Sequence, residues 1–89
     1  MCADCTNLKK VILTGSNPII SISAFSNCTN LKLVDLSKCN SVAMLSSTNA
    51  FTNVPTTCEF RIPASLYDEW INATNWSAIY AQGYKFTAV

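Results

Sequence analysis

The chain has 89 residues, a formal net charge of +1 and charged side chains at only 12% of its positions. Its length limits it to one small domain, and its weak net charge excludes the basic surface with which proteins bind nucleic acids or anionic membranes. The longest apolar runs hold only a few residues, against the ~18 that a membrane-spanning helix requires, so we expect no membrane insertion.

The first predicted elements form one structural unit. Alternation of side chains in its first strand directs Val11 and Leu13 into a core. Phe25, in the turn that ends the unit, is expected to point inward, because one large ring per unit fills the middle of a stack of units. In chain order, the unit has a strand over 10–13, a turn over 15–18, a back segment over 19–22 and a tight turn over 23–27.

A second unit follows in the same order. It has a strand over 33–36, a turn over 38–41 and a back segment over 42–45, and it ends in a turn at Ala50-Phe51. A third unit keeps only its strand, over 59–62. The three strands are therefore predicted to lie side by side in one parallel sheet.

The units are copies of one sequence. The run Cys5-Thr6-Asn7-Leu8-Lys9 returns from Cys28 onward, 23 residues later (28 − 5), and Ala24-Phe25-Ser26-Asn27 returns from Ala50 onward, 26 residues later (50 − 24). The second copy therefore holds three extra residues, which we place within 46–49. Insertions in repeat arrays map to loops, and this one is either a contact loop or a solvated bulge.

The tail from residue 64 onward has a different pattern, which predicts two short helices. Ser65 and Asp68 have the spacing of a capping box at the start of a helix over 66–73. A second helix is predicted to run from Trp76 to the glycine at 83, with Thr74 or Asn75 as its cap. Both helices carry an apolar stripe, so we expect them to pack against the preceding units.

Large aromatic side chains in this tail predict that it closes the stack. Trp70, Trp76 and Tyr80 are expected to cover the open end of the last unit, because a terminal unit must be shielded from water. A final strand over 84–89 is expected to pair beside the strand at 59–62. The tail is therefore predicted to be a cap and not a separate domain.

The repeated pattern AFxNCTNLKxVxL resembles the BspA-like class of leucine-rich repeats. The resemblance implies a right-handed leucine-rich repeat solenoid, of α/β class, with one short parallel strand per repeat, tight turns on the back, a C-terminal helical cap and a final strand. It covers residues 1–63 as two and a half repeats, divided at 1–23, 24–49 and 50–63, with the cap over 64–89. It also implies that the chain is the C-terminal part of a longer bacterial surface protein, extracellular or cell-surface, with adhesive function.

The cysteines and the absence of catalytic motifs predict a protein without enzymatic activity. Cys2 and Cys5 have the spacing of a metal or redox motif, but the chain has no histidine, so a zinc site would need thiolates only. Cys5 and Cys28 occupy the same repeat position, which indicates structural cysteines. No pattern of nucleophile, base or phosphate-binding loop is present, and we expect no metal and no cofactor.

The outward positions of the strands are the candidate binding residues, because packing does not dictate them. Asp35 and Arg61 are expected to form an exposed ion pair there, and Ile12 and Leu33 to offer apolar contact. The predicted columns are Lys10, Leu33 and Glu59; Ile12, Asp35 and Arg61; and Thr14 and Ser37.

Two hypotheses for function follow from this pattern. The first is a module that binds a protein or glycan partner through these columns. The alternative is a purely structural segment that closes a repeat array and has no ligand of its own. In either case, we expect end-to-end self-association through the first repeat, whose strand edge is uncovered.

Overall fold

The computed structural model describes residues 3–89. Within these residues the chain forms strands β1 Lys10–Gly15, β2 Ile19–Ile20, β3 Leu33–Cys39, β4 Met44–Leu45, β5 Glu59–Ile62 and β6 Lys85–Ala88. The helices are α1 Tyr67–Ile71 and α2 Trp76–Ala81, and 3₁₀ turns lie at Thr48–Phe51 and Ala64–Leu66. Neither helix has the length or apolar character required to cross a bilayer, a statement limited to residues 3–89.

The strands form two parallel sheets. The larger has the order β1-β3-β5-β6, and the smaller pairs β2 with β4. The chain therefore passes from the large sheet to the small one and back twice before it enters the tail. β6 pairs in parallel with β5, which confirms the predicted position of the final strand.

The pairing in the large sheet follows the sequence repeat. Val11 pairs with Val34, Val34 with Phe60, and Phe60 with Phe86. All four side chains are at most 8% exposed, so equivalent positions of successive strands point into one core. Alternation of inward and outward residues along these strands confirms the predicted orientation of Val11 and Ile12.

The position of the three extra residues in the second unit was predicted wrongly. The offset between paired residues is 23 at Lys10–Leu33 (33 − 10), but it is already 24 at Thr14–Lys38 (38 − 14), beyond a register shift. It rises to 25 at Ile19–Met44 (44 − 19) and to 26 where Asn53 contacts Asn27. The second unit therefore has one inserted residue at each of three places, and only the last of these places falls within 46–49.

Aromatic rings form a continuous row through the core. The rings of Phe25 and Phe51 are stacked with centroids 5.8 Å apart, as predicted, and Phe51 contacts Phe60 edge to face at 5.0 Å. Trp76 lies 6.0 Å from Phe60 and continues the row into the cap. Burial of each such ring stabilises the fold by roughly 1.5–3 kcal/mol in transfer terms.

The tail covers the last units mainly with its two tryptophans. Trp70 and Trp76 are fully buried, and the Trp76 Nε1–H donates a 2.7 Å hydrogen bond to the carbonyl of Ala43. The Asn75 side-chain amide donates to the carbonyl of Leu45 at 2.6 Å. These two bonds satisfy carbonyl groups at and beside β4, the outer strand of the small sheet.

Three details of the predicted tail are corrected. Tyr80 is 44% exposed and contacts Phe86 from outside, so it does not close the core. Ser65 does not cap a helix, because the chain first makes a 3₁₀ turn after Pro63 and α1 starts only at Tyr67, without a side-chain cap. α2 likewise has Asn75 at its N-cap position, but without a capping side-chain bond, since that side chain binds Leu45 instead.

A ladder of side chains joins one corner of each unit. Asp4, Asn27 and Asn53 all have left-handed backbone conformations, with φ of 62°, 62° and 66°. Asn27 donates its side-chain amide to Asp4 Oδ1 at 2.7 Å, and Asn53 donates to Asn27 Oδ1 at 2.5 Å. Asparagine suits this position because it tolerates the left-handed conformation and has both a donor and an acceptor.

Candidate binding face

The outward side chains of the large sheet form a surface that we call the strand face. Lys10, Leu33 and Glu59 lie in one row across neighbouring strands, as predicted. Ile12, Asp35 and Arg61 form the next row. The sheet thus brings six of the eight candidate residues together in two rows.

β6 adds two residues that the sequence analysis missed. Lys85 pairs with Glu59, and Thr87 pairs with Arg61, so each row gains a fourth member. The signal was available, because the final strand was expected beside 59–62. Columns that follow only the repeats end at β5 and therefore leave out β6.

The third predicted column is wrong. Thr14 pairs with Lys38 and not with Ser37, because the register shifts by one residue between Ile12 and Thr14. Ser37 lies within this shift, where its side chain turns back toward Asp35. Lys38, an exposed residue of β3, therefore replaces Ser37 beside Thr14 on the strand face.

Asp35 is held by Ser37. The Ser37 hydroxyl donates to Asp35 Oδ1 at 2.6 Å, and the Ser37 backbone N–H donates to the same oxygen at 3.0 Å. The hydroxyl bond is the main cause that lowers the pKa of Asp35 below its ordinary value, with smaller contributions from Arg61 and Lys10. This carboxylate is therefore charged and fixed in position at neutral pH.

The predicted ion pair between Asp35 and Arg61 does not form. Arg61 Nε lies 3.6 Å from Glu59 Oε2, on the same strand and two residues away. Asp35 has its Oδ1 occupied by Ser37, whereas Glu59 points along the same side of β5 as Arg61. The pair is solvent-exposed, with 46% of the Arg61 side chain accessible, so it contributes little to stability.

Glu59 is held from the other side by β6. The Thr87 hydroxyl donates to Glu59 Oε2 at 2.7 Å. This bond is the main cause that lowers the pKa of Glu59, and the charges of Arg61 and Lys85 add to it. The strand face thus carries two oriented carboxylates, each bound by a hydroxyl group, and four cationic side chains, which are Lys10, Lys38, Arg61 and Lys85.

The side chains of the strand face are suited to non-covalent binding. Ile12 is 56% exposed between the charged residues, and Leu33 is half-buried. Oriented carboxylates accept hydrogen bonds, Arg61 and the lysines donate them, and Ile12 offers apolar area. The face therefore matches a partner that presents both signs of charge or many hydroxyl groups.

The buried thiols do not suit nucleophilic chemistry. Cys58 is fully buried, and burial raises its pKa to about 12. Burial also raises the pKa of Cys39. Since the thiolate is the reactive form, these side chains are unreactive at neutral pH. Over residues 3–89, no cluster of three or more His, Cys, Asp and Glu side chains could hold a metal ion; Cys2 lies outside the described residues.

A concave surface away from the strand face, the back groove, lies between β4 and the link that joins the two helices. It has a volume of about 610 Å³ and carries no charged side chain. Met44, at its rim, is 62% exposed and pairs with the exposed Ile19 of β2. The residues that line the groove are Val42, Ala43, Met44, Leu45, Ser46, Ala73, Thr74 and Trp76.

Comparison with known proteins adds no assignment. The chain matches no protein-family model, no curated protein and no solved structure. Its interpretation therefore depends on the geometry of its own residues and on the repeat pattern.

Proposed function

We propose that the chain is a non-catalytic recognition module that binds a protein or glycan partner through the strand face. The observation that carries this proposal is the contrast between the two sides of the large sheet. The inward residues Val11, Val34 and Phe60 at paired positions of β1, β3 and β5 are all apolar. The outward residues beside them change from lysine to leucine to glutamate across the same three strands. Packing dictates the first set and leaves the second free to specify a partner.

We also propose that the chain is a right-handed leucine-rich repeat solenoid of the BspA-like class, from a longer bacterial surface protein. Parallel pairing at the repeat spacing supports this architecture, as do the recurring ring at Phe25 and Phe51 and the ladder through Asn27. In such an array each unit contacts only its neighbours, and the strands form one extended surface. The strand face is then a segment of a larger binding surface.

The two oriented carboxylates of the strand face favour a binding function over the alternative that this face only contacts solvent. An exposed carboxylate without partners loses side-chain entropy when it binds, but Asp35 and Glu59 are already oriented by Ser37 and Thr87. Orientation before binding lowers the cost of association. A partner with hydroxyl or cationic groups at matching positions gains from both carboxylates.

A second candidate function is purely structural. The tail places two tryptophans in the core and satisfies the carbonyl groups of Ala43 and Leu45, which favours a role as the closing segment of an array. Under this hypothesis the strand face has no ligand. The two hypotheses share the fold and differ only in the behaviour of the outward residues.

Selection of ligands on the immobilised chain tests the proposal. A random peptide display library and a glycan array present both classes of partner without prior choice of a ligand. Binders selected on the chain are then measured against a face variant that carries Ile12→Ser, Leu33→Ser, Asp35→Asn and Arg61→Gln. We expect these binders to lose at least tenfold in affinity for the face variant.

A matched control uses the other side of the molecule. The variant Ile19→Ser with Met44→Ser changes two exposed apolar residues of the small sheet and leaves the strand face intact. Binders that use the strand face retain their affinity for this control. Failure to select any ligand, or ligands that bind the face variant as well as the original chain, supports the structural alternative instead.

A further inference from the structure

The charges of the chain are separated between two parts of the molecule. All six cationic residues lie in a strand of the large sheet or directly before one; they are Lys9, Lys10, Lys32, Lys38, Arg61 and Lys85. Only two of the five acidic residues, Asp35 and Glu59, lie in these strands. This part of the molecule therefore carries +4 (6 − 2), and the other three acidic residues (5 − 2) give the rest −3. The net charge of +1 hides this separation.

The lysines of this positive surface are accessible to an anionic partner. All five are exposed, namely Lys9, Lys10, Lys32, Lys38 and Lys85. Over residues 3–89 the one salt bridge joins Arg61 to Glu59, so no lysine there is held by a carboxylate at contact distance. A further strand beside β1 would extend the surface sideways and leave it open, because outward side chains stand roughly perpendicular to a sheet.

The positive surface is interrupted at its centre, which limits the kind of anion that fits it. Asp35 and Glu59 lie on the two inner strands of the large sheet, β3 and β5. A polymer with a charge at every unit, such as a nucleic acid or polyphosphate, is repelled at both positions. The outward residues of the strand face also include no aromatic side chain on which a base could stack.

An acidic polysaccharide has the complementary pattern, because its carboxylate or sulfate groups are separated by sugar hydroxyl groups. The bond from Ser37 goes to Oδ1 of Asp35 and the bond from Thr87 goes to Oε2 of Glu59, so the second oxygen of each carboxylate remains an acceptor. Lys10 and Lys85 lie in one row with Glu59, three strand spacings apart, which is about 14 Å. Cationic groups thus alternate with a hydroxyl-binding group across the sheet.

We propose that the ligand of the strand face is an acidic polysaccharide. Its anionic groups bind Lys10, Lys38 and Lys85, and its hydroxyl groups donate to Asp35 and Glu59. The inference rests on the proposed function, since it names the chemical class of ligand for the same face. Attraction between the positive surface and the polyanion increases the rate of association, and it makes binding weaken as the salt concentration rises.

Titration calorimetry with two acidic polysaccharides tests the proposal. Hyaluronan oligosaccharides are compared with their carboxyl-reduced, neutral form, and polygalacturonate oligosaccharides with their methyl ester. We expect at least one acidic probe to bind about tenfold or more tightly than its neutral form at low salt, and to lose this advantage at high salt. An acidic peptide, polyglutamate, and inorganic polyphosphate are titrated as the competing classes of polyanion.

Two lysines test the position of the site. Lys10→Gln with Lys38→Gln removes two cations and should weaken binding of the acidic probe by about 2- to 30-fold, the effect of two exposed ionic contacts. Ser77→Glu with Ala78→Glu, at exposed positions of α2, makes the same change in net charge away from the strands. This control should leave the affinity unchanged, and thermal melting of both variants excludes a loss of folding.

The two carboxylates test the class of ligand. Asp35→Asn with Glu59→Gln weakens the acceptors for sugar hydroxyl groups, and it removes the repulsion that polyphosphate meets. The affinity for the acidic probe, divided by the affinity for polyphosphate, should therefore fall by about tenfold. A ratio that stays constant would contradict the role of the hydroxyl groups.

Other results also overturn the inference. These are acidic probes that bind no better than their neutral forms, an equal loss of affinity in the α2 control and the lysine variant, and tighter binding of polyglutamate or polyphosphate than of either acidic polysaccharide. Neutral or peptide ligands from the library and array that lose affinity for the face variant would overturn this inference alone. The binding function of the strand face would then still stand.

Discussion

Asn53 donates its side-chain amide to the side-chain oxygen of Asn27, which in turn donates its own amide to Asp4. The direction of donation is the same at both steps, from the later unit to the earlier one. All three residues have a left-handed backbone conformation, so the corner that they occupy is fixed by backbone geometry and by side-chain bonds together. The middle residue, Asn27, makes both contacts.

Asn27 should therefore tolerate glycine better than alanine. Asn27→Gly keeps access to positive φ and loses two exposed hydrogen bonds, which we expect to cost about 1 kcal/mol. Asn27→Ala also places an ordinary residue in a left-handed conformation, which should add about 1 kcal/mol. Urea unfolding followed by circular dichroism measures both changes. Asn40→Ala, which loses a single exposed bond to Ser16, is the control and should be nearly neutral; equal losses for the glycine and alanine variants at Asn27 would contradict the role of φ.

Phe51 should matter more than Phe25, although both occupy the same repeat position. Phe51 contacts the rings of Phe25, Phe60 and Trp76, whereas Phe25 contacts only Phe51 among the ring pairs of residues 3–89. Each aromatic pair is worth about 0.5–1.5 kcal/mol beyond its buried area. Phe51→Leu is therefore expected to reduce the free energy of unfolding by about 1–3 kcal/mol more than Phe25→Leu. Chemical denaturation of the two variants at one temperature checks this order, and a larger loss for Phe25→Leu would contradict it.

The two tryptophans of the tail offer a matched comparison. Both are fully buried, but Trp76 donates a hydrogen bond to Ala43, whereas within the described residues the Nε1–H of Trp70 has no acceptor. Trp76→Phe leaves the Ala43 carbonyl without its donor, whereas Trp70→Phe removes a donor that has no acceptor. Trp76→Phe should therefore lower the free energy of unfolding by about 1–3 kcal/mol more than Trp70→Phe. Denaturant unfolding of both variants measures the difference. Equal losses would show that volume alone decides the effect.

Thr87 should stabilise the fold only when Glu59 is ionised. The Thr87 hydroxyl lowers the pKa of Glu59, so its contribution is complete above the ordinary glutamate pKa of about 4.3 and is lost as the pH falls through the lower folded value. Thr87→Val is expected to lower the free energy of unfolding by about 1 kcal/mol at pH 7 and by much less at pH 2. Urea unfolding at both pH values tests this. Thr14→Val, whose strand partner is Lys38 and not a carboxylate, should show no such pH dependence.

Much of the sheet could be predicted because the repeats preserve their inward residues. The equivalent positions of Val11, Val34 and Phe60 in their repeats predicted the register of these strands directly, and the recurring ring predicted the stack of Phe25 on Phe51. The final strand was found by its position after the helices. These features involve buried groups, for which sequence and packing constrain each other strongly.

The errors concern positions where packing imposes little. Three single-residue insertions among polar and small residues cannot be located from the repeat spacing, which gives only their sum. The first of them lies before Lys38, so the uniform spacing wrongly pairs Thr14 with Ser37. Arg61 lies within reach of two carboxylates, and only the hydrogen bonds of Ser37 and Thr87 decide which one it contacts. The tail has no repeat to align, so the start of α1 and the exposure of Tyr80 could not be derived from periodicity.

The separate placement of the extra residues in the second unit has a consequence for how such chains vary in length. One residue enters within the β1–β3 pairing, between Ile12 and Thr14, one before β4 and one after it, and the pairs from Lys10–Leu33 to Ile12–Asp35 keep their alignment. Length changes at these three points therefore alter the chain beyond the first part of each strand without exchanging any residue displayed by that first part. Repeats of unequal length can thus differ beyond it while the first two rows of displayed residues stay aligned.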